Sequence, residues 1–545
     1  MLSPSHFSAP LARRRWARAG VAAAASLSLL ALTTPPTSAD DDRDDRDDRS
    51  FELAEDLRED VRGKRIMKHL AAFDEIGRTN GNSRASGTPG YKASVDYVVK
   101  ELRKSGYQPT VQAFDFPFFE ELEPARLVTS GGQELPTGTF TYSGSGNPTA
   151  PVQGVDLKLA GDRASTSGCE AADFNGFTPG NIALIQRGTC TFGTKANHAA
   201  DAGASGVIIF NQGNSAGRMD VIVGTLGEPM PTPIPVVGAS FDDGAALAAQ
   251  SGDVEVFAKT ISEIRETWNV FAETEAGDPD NVVMTGSHLD SVAAGPGVND
   301  NGSGSAAILE VAKVLAEEAD DDEDLPNKVR FAWWGAEELG LLGAEHYIGD
   351  LQANSPEELE RIALYLNFDM IGSPNYARFV YDGDNSRFPV GPGAAAGPKG
   401  SDAIEQAFHD AFADHDRASE ETPFSGRSDY GPFIAKGVDI PAGGLFTGAE
   451  GVKSAQQAAY FGGEAGVAYD KCYHQACDDL SNVSRQAIDE MSDAVAKVIG
   501  MFAVSTQPVN GIGAEWPALG YGAPVGDGTT GGGGLHDDHD HEPES

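Results

Sequence analysis

Val282-Val283-Met284-Thr285-Gly286-Ser287-His288-Leu289-Asp290, followed by Asn299-Asp300-Asn301-Gly302-Ser303-Gly304 and the apolar run 306–315, is the stretch on which the reading of this chain turns. Residues 282–287 form a short, continuous apolar run with β-branched members, which predicts a buried strand; 306–315 carries the apolar spacing of a helix. The pattern repeats with strands at 329–334 and 364–368. Strands alternating with helices predict an α/β fold, a mixed, mainly parallel central sheet with helices on both faces. In open sheets of this kind reactive groups gather at the carboxyl ends of the strands. The predicted strands run into His288-Leu289-Asp290, Glu337-Glu338 and Asp369, and Asp300 precedes the intervening helix.

Taken singly, each of these has a bland explanation. His288 and Asp290 fit a hydrogen-bonded pair, Glu337-Glu338 a solvated loop, and Asp300 a helix N-cap. Asp369 resists this, because it ends a hydrophobic strand where an unpaired carboxylate costs several kcal/mol. Together with His474 the set holds imidazoles and carboxylates, the donors that zinc prefers.

His288-Leu289-Asp290-Ser291, Asn299 to Gly304, Trp334-Gly335-Ala336-Glu337-Glu338, Asn367-Phe368-Asp369-Met370 and Cys472-Tyr473-His474 stand in the order and spacing of a known family. The chain resembles the secreted bacterial leucyl aminopeptidases and aminopeptidase Y, two-zinc exopeptidases of α/β fold. The resemblance implies that His288 and Asp369 bind one zinc, Glu338 and His474 a second, and that Asp300 bridges them. It makes Asp290 the partner that fixes the His288 tautomer, Glu337 the general base and Tyr473 the donor to the oxyanion. Glu337 and Glu338 are expected to diverge as neighbours at a strand end do. Arg427 matches a substrate-contacting arginine, although Tyr430 stands where the family usually has histidine. Met370, Gly426 and Phe446 match the apolar pocket for the first side chain, which implies Leu, Met or Phe at the peptide N-terminus. Asp60, Asp489 and Asp493 fall where some relatives bind structural calcium; the alternative is solvated helix carboxylates, since Asp489 and Asp493 are four apart.

Working outward, 60–119 and 263–503 form the catalytic domain, interrupted by 120–262. Near the start, Tyr91, Val95, Val98 and Leu102 predict a helix stopped at Gly106, and Val111 and Ala113 a strand with those two on one face. The insertion has short apolar runs broken by Gly, Pro, Ser and Thr, with strands expected at 181–185 and 206–210 and a helix at 195–202. It resembles a protease-associated domain, which implies a lid or substrate-selecting role; a plain spacer is the competing reading. The 4 cysteines permit three connectivities. Loop length and the domain limits favour Cys169 with Cys190 and Cys472 with Cys477, and neither pair has the Cys-x-x-Cys spacing of a zinc site.

Arg13, Arg14, Arg15 and Arg18, an apolar run 21–32 and Thr37-Ser38-Ala39 read as a secretory signal, 1–39, cleaved near Ala39. Residues 40–59 read as an acidic linker, and 504–545, rich in Gly and Pro and ending in acids and histidines, as a disordered tail. With 82 acids against 40 bases and a net charge of -42, the chain is a poor partner for nucleic acid or anionic lipid. The expected partners are peptides with a free N-terminus, the expected cofactors two zinc ions with calcium as an addition, and the expected state a monomer outside the cell. The rival readings are another zinc exopeptidase (a carboxypeptidase or dipeptidase), a one-zinc glutaminyl cyclase, or a binding protein that has kept the architecture without the chemistry.

Overall fold

The computed structural model describes residues 52–319 and 325–516. The expected signal peptide, most of the acidic linker and the tail beyond 516 lie outside the described residues. In chain order the strands are β1 (Thr110–Val128), β2 (Glu134–Leu135), β3 (Thr149–Val155), β4 (Ile182–Gln186), β5 (Gly206–Phe210), β6 (Val236–Ala239), β7 (Asp253–Glu273), β8 (Asp278–His288), β9 (Asn327–Trp334), β10 (Ile362–Phe368), β11 (Phe379–Tyr381), β12 (Glu420–Thr422) and β13 (Ala442–Phe446). They join in the order β12-β11-β13-β10-β8-β9-β7-β3-β4-β5-β6, with β1 against β7 and β2 against β1.

The centre of this sheet is parallel: β8 lies between β9 and β10, and β10 pairs with β13. Such strands are covered on both faces, so consecutive residues are both buried. Trp333 and Trp334 are each 0% exposed, yet they enter different cores. Val283, Phe331, Trp333 and Leu366 pack with the helices Gly63–Thr79, Pro89–Lys104, Gly302–Glu318 and Arg485–Val504. Met284, Trp334 and Tyr365 pack on the other side with Tyr347, Ile348 and Phe433. Full burial of one such large side chain is worth about 1.5–3 kcal/mol. The α/β architecture is therefore as the alternation of apolar runs implied.

β1 and β7 form one long antiparallel ribbon, from Thr110 opposite Phe271 to Val128 opposite Glu255. Its far end leads into a second sheet, β3-β4-β5-β6, whose strands pair in parallel and whose two faces carry separate apolar clusters. The expected limits of the insertion fall within the ribbon, where Phe119 pairs with Ser262 and Glu120 with Ile261.

Several expectations need correction. In β1 the buried face is Phe114, Phe116 and Phe118, while Val111 is 41% exposed and Ala113 faces solvent as well, so the inward set is the aromatic one. Residues 52–59, placed in the linker, are helical, and Leu53 and Leu57 join the main core. The start of the expected tail is folded too: Gln507–Asn510 is a helical turn, and the Trp516 ring packs tilted against Phe502, 4.8 Å between centroids. In both cases a few apolar residues inside a polar stretch find core surface that composition averages away.

Candidate active site

At the carboxyl edge of β8, β9 and β10 the named carboxylates and imidazoles converge. His288 ends β8, with Nε2 3.3 Å from Asp300 Oδ1 and 3.3 Å from Asp369 Oδ1. His474 Nε2 lies 3.2 Å from Asp300 Oδ2 and 3.0 Å from Glu338 Oε2. Asp300 thus presents one oxygen to each imidazole. Candidate ligand atoms of His288, Asp300 and Glu338, and likewise of His288, Glu337 and Asp369, lie within 4.8 Å of one another.

Local backbone explains how residues so near in sequence face different ways. Glu337 and Glu338 sit on a 3₁₀ turn rather than on a strand end, entered through Ala336 at φ 56°. The expected strand alternation is therefore not what separates them; the turn aims Glu337 at His288, 3.7 Å away, and Glu338 at His474. Met370, just after Asp369, and His474 itself also have positive φ, 51° and 56°. Non-glycine residues in this region cost of order 1–3 kcal/mol each and cluster where function constrains the chain. Asp300 is not an N-cap: Asn301 caps the following helix through Gly304 N–H, and its side chain also receives Met370 N–H and donates to Phe368 O. Gly304 is required there, since a Cβ would stand 2.1 Å from Phe368 O.

Asp290 supports His288 differently from the expected carboxylate contact. His288 Nδ1 is 3.2 Å from the Asp290 backbone oxygen and 3.7 Å from its carboxylate, which instead accepts Glu337 N–H. The Tyr473 ring stacks on His474 at 3.9 Å, and Cys472 is bonded to Cys477 around both. Cys169 is bonded to Cys190. Met370 follows the end of β10 and Phe446 closes β13, and the next residue, Thr447, donates its N–H to Met370 O. Gly426 instead lines an open groove of about 680 Å³ together with Leu341, Pro398 and Ile434. Arg427 is exposed. The three aspartates proposed for calcium have other neighbours: Asp60 is 3.7 Å from Arg62, Asp493 is 2.9 Å from Arg417, and the Asp489 carboxylate packs over Gly63.

Several supporting residues carried no role in the sequence reading. Ser428 donates to Asp369 Oδ2 at 2.6 Å and receives Asn367 Nδ2 at 2.8 Å. Asp478 accepts the backbone N–H groups of Asn299 and Asp300, both at 2.9 Å. Asp429 is buried beside the cluster with neither carboxylate oxygen hydrogen-bonded. The adjacency of Asp478 to Cys477, and of Ser428 and Asp429 to Arg427, was the available signal.

Electrostatically the site calls for positive charge. Burial pushes the Glu337 and Asp429 carboxyls well above the usual range, and Glu338 up to about 7. Burial opposes the His288 imidazolium, but Glu337, Asp369 and Asp300 outweigh it and raise its pKa well above normal. His474, opposed by burial and favoured by Asp300 and Glu338, rises to about 10. Glu338 Oε1 and Asp369 Oδ1 are buried without a hydrogen-bond partner. Buried carboxylates in this number are tolerable only when cations meet them, and the mixed nitrogen and oxygen donors fit a metal.

The family model described as peptidase family M28 matches residues 269–499, and that of the PA domain matches 150–247. An aminopeptidase of Pseudomonas aeruginosa (strain UCBPP-PA14) is 48% identical over 459 residues, covering 83% of this chain and 82% of that protein. Leucine aminopeptidase 2 of Trichophyton rubrum is 41% identical over 83% of this chain and 86% of its own length. Among solved structures, the aminopeptidase from Aneurinibacillus sp. strain AM-1 superposes with a TM-score of 0.56 at 25% identity, covering 86% of this chain and 99% of that one. A zinc aminopeptidase from Bacillus subtilis gives 0.52 at 26% identity, over 81% and 95%. With relatives this similar over most of their length, and a carboxylate and imidazole cluster built to hold cations, the chain belongs to peptidase family M28 and is a metalloaminopeptidase.

Proposed function

We propose that the chain is an exported two-zinc aminopeptidase that removes single residues from free peptide N-termini, favouring Leu, Met or Phe at the first position. The observation that carries this reading is the division of the cluster about Asp300, with His288 and Asp369 on one oxygen and His474 and Glu338 on the other. His288 and Asp369 would hold one ion, His474 and Glu338 the second, and Asp300 both. When bound, the ions supply Lewis acidity toward a carbonyl and acidify water.

The chain's own groups then do the rest. Glu337, partly buried beside His288, takes the proton of the attacking water and passes it to the departing amine. Tyr473 donates its hydroxyl to the oxyanion of the tetrahedral state. Asp290 holds Glu337 through its backbone N–H and His288 through its own carbonyl, so that base and ligand are set by one residue. Arg427 is assigned to the substrate. Met370, Gly426 and Phe446 are assigned to the side chain of the first residue. The Trichophyton relative's name, leucine aminopeptidase, agrees with that preference. Zinc is supported by the donor set and by the Bacillus structure's description. Export is supported by the basic and apolar leader and by two disulfides.

The test is Glu337→Gln. It should retain the zinc content of the parent protein while hydrolysis of a leucine anilide slows by about 10² to 10⁴. Near-normal turnover would remove the base assignment, and one zinc per chain in fully active protein would remove the two-metal scheme.

A further inference from the structure

We propose that the chain carries an additional divalent-cation site, separate from the catalytic cluster, formed by Glu405, His409 and Glu421, with Asp384 at its rim. The candidate ligand atoms of Glu405, His409 and Glu421 lie within 4.8 Å of one another, as do those of Asp382, Asp384 and Glu405. None of these residues belongs to the catalytic set.

Three elements bring them together. The helix Ser401–Ala413 places Glu405 and His409 four residues apart on one face. β12 supplies Glu421, opposite Val380 of β11, and the turn leaving β11 supplies Asp382 and Asp384. Glu405, His409 and Glu421 are 6%, 2% and 7% exposed, so their charges are not hydrated in the ordinary way.

The decisive atom is His409 Nε2, buried and without a hydrogen-bond partner. It faces Glu405 Oε1 at 3.7 Å, too long for a hydrogen bond and suited to a shared ion between them. On the ring's other side Nδ1 is 2.8 Å from Ser419 Oγ. With Nδ1–H donating there, Nε2 turns its lone pair into the cluster, the arrangement of metal-ligating histidines. Glu405 Oε2 is held by the N–H groups of Gly383 and Asp384, which leaves Oε1 directed at His409. Asp382 is occupied by backbone N–H groups of Ser386, Arg387 and Phe388 and contributes charge rather than a ligand atom. The nearby cation, Arg387, is engaged with Glu420 at 2.8 Å. Burial, with Glu405 and Asp382 as like charges, pushes the Glu421 carboxyl up to about 7, so the cluster has unbalanced negative charge to offer.

One imidazole with carboxylates selects a borderline cation such as Zn²⁺ over Ca²⁺, which takes oxygen ligands. Bound there, the ion ties helix 401–413 to the β11–β12 edge.

The test uses crystals of the full chain grown with ZnCl₂ and measured at the zinc absorption edge. An anomalous peak between Glu405, His409 and Glu421, beside those at the catalytic cluster, is the expected result; peaks at the catalytic cluster alone overturn the proposal without touching the catalytic reading. In solution, Glu421→Gln and His409→Asn should each carry about one divalent ion per chain fewer than the parent after identical dialysis. Equal metal content in either folded variant overturns the site, and so does a peak obtained with calcium but not with zinc.

Discussion

Arg84 shows how much of the site rests on one side chain remote from it in sequence. It is fully buried, and its guanidinium donates to the carbonyls of Pro296, at 2.6 Å, and of Leu289 and Gly297. These three carbonyls belong to the loop joining His288 to Asp300. Burial lowers the Arg84 pKa to about 10, so the group stays charged at neutral pH, with Phe73 lying 5.1 Å beneath it. A lysine carries the charge but not the planar fork, so it leaves carbonyls unmet. Arg84→Lys should cost about 2–4 kcal/mol in denaturant unfolding and lower turnover, because the loop would no longer fix Asp300 against His288. An unchanged unfolding midpoint would show that the loop is held by other contacts.

Among the elements, the short loop closed by Cys472 and Cys477 carries both Tyr473 and His474. So small a ring stabilises by about 2 kcal/mol in the chain-entropy model. Its positional effect should exceed that: replacing both cysteines by serine is expected to reduce turnover by more than about thirtyfold, at about 1.4 kcal/mol per factor of ten, against a loss of about 2 kcal/mol in unfolding stability. Comparing leucine-anilide kinetics with urea melts checks it. The helix 52–60 is anchored by Lys497, which is buried and lies 2.7 Å from Glu55 and 2.6 Å from Asp414. Burial pushes the Glu55 carboxyl up, but Lys497 and Arg58 more than offset this and leave it below its ordinary value of 4.5. A depressed folded pKa gives stability that is complete above the unfolded value and is lost as pH falls through the folded one. Below pH 4.5 the parent should therefore lose stability more steeply than Lys497→Met. Parallel acid titrations of the two by circular dichroism would contradict the anchor.

For the whole molecule the β1–β7 ribbon is the mechanical link between insertion and catalysis. Phe114, Phe116 and Phe118 pack with Ala336 and Leu342, against the turn that carries Glu337 and Glu338. Glu121 and Thr260 are opposite partners on the ribbon, so a tight turn between them can replace the insertion without breaking this contact. Such a deletion is expected to keep hydrolysis of a leucine anilide within about tenfold, a change of some 1.4 kcal/mol, while altering selection among longer peptides. Profiles of a peptide library for the two proteins decide it, and identical profiles would make the insertion a spacer.

The sequence by itself determined the α/β alternation, because a strand buried on both faces and an amphipathic helix are written in local apolar spacing. It also named the convergent carboxylates and imidazoles, since strand ends in an open sheet share one edge and the motifs there are distinctive. It could not find Arg84 or Asp478, whose roles arise only when loops far apart in the chain meet, nor choose the Phe114 face of β1 over Val111, which depends on what lies against the ribbon. Nor could it assign Glu337 and Glu338 their opposite directions by strand alternation, because a turn through left-handed backbone is set by its surroundings. The cluster of Glu405, His409 and Glu421 likewise exists only in three dimensions: two residues share a helix face, but the third arrives through strand pairing.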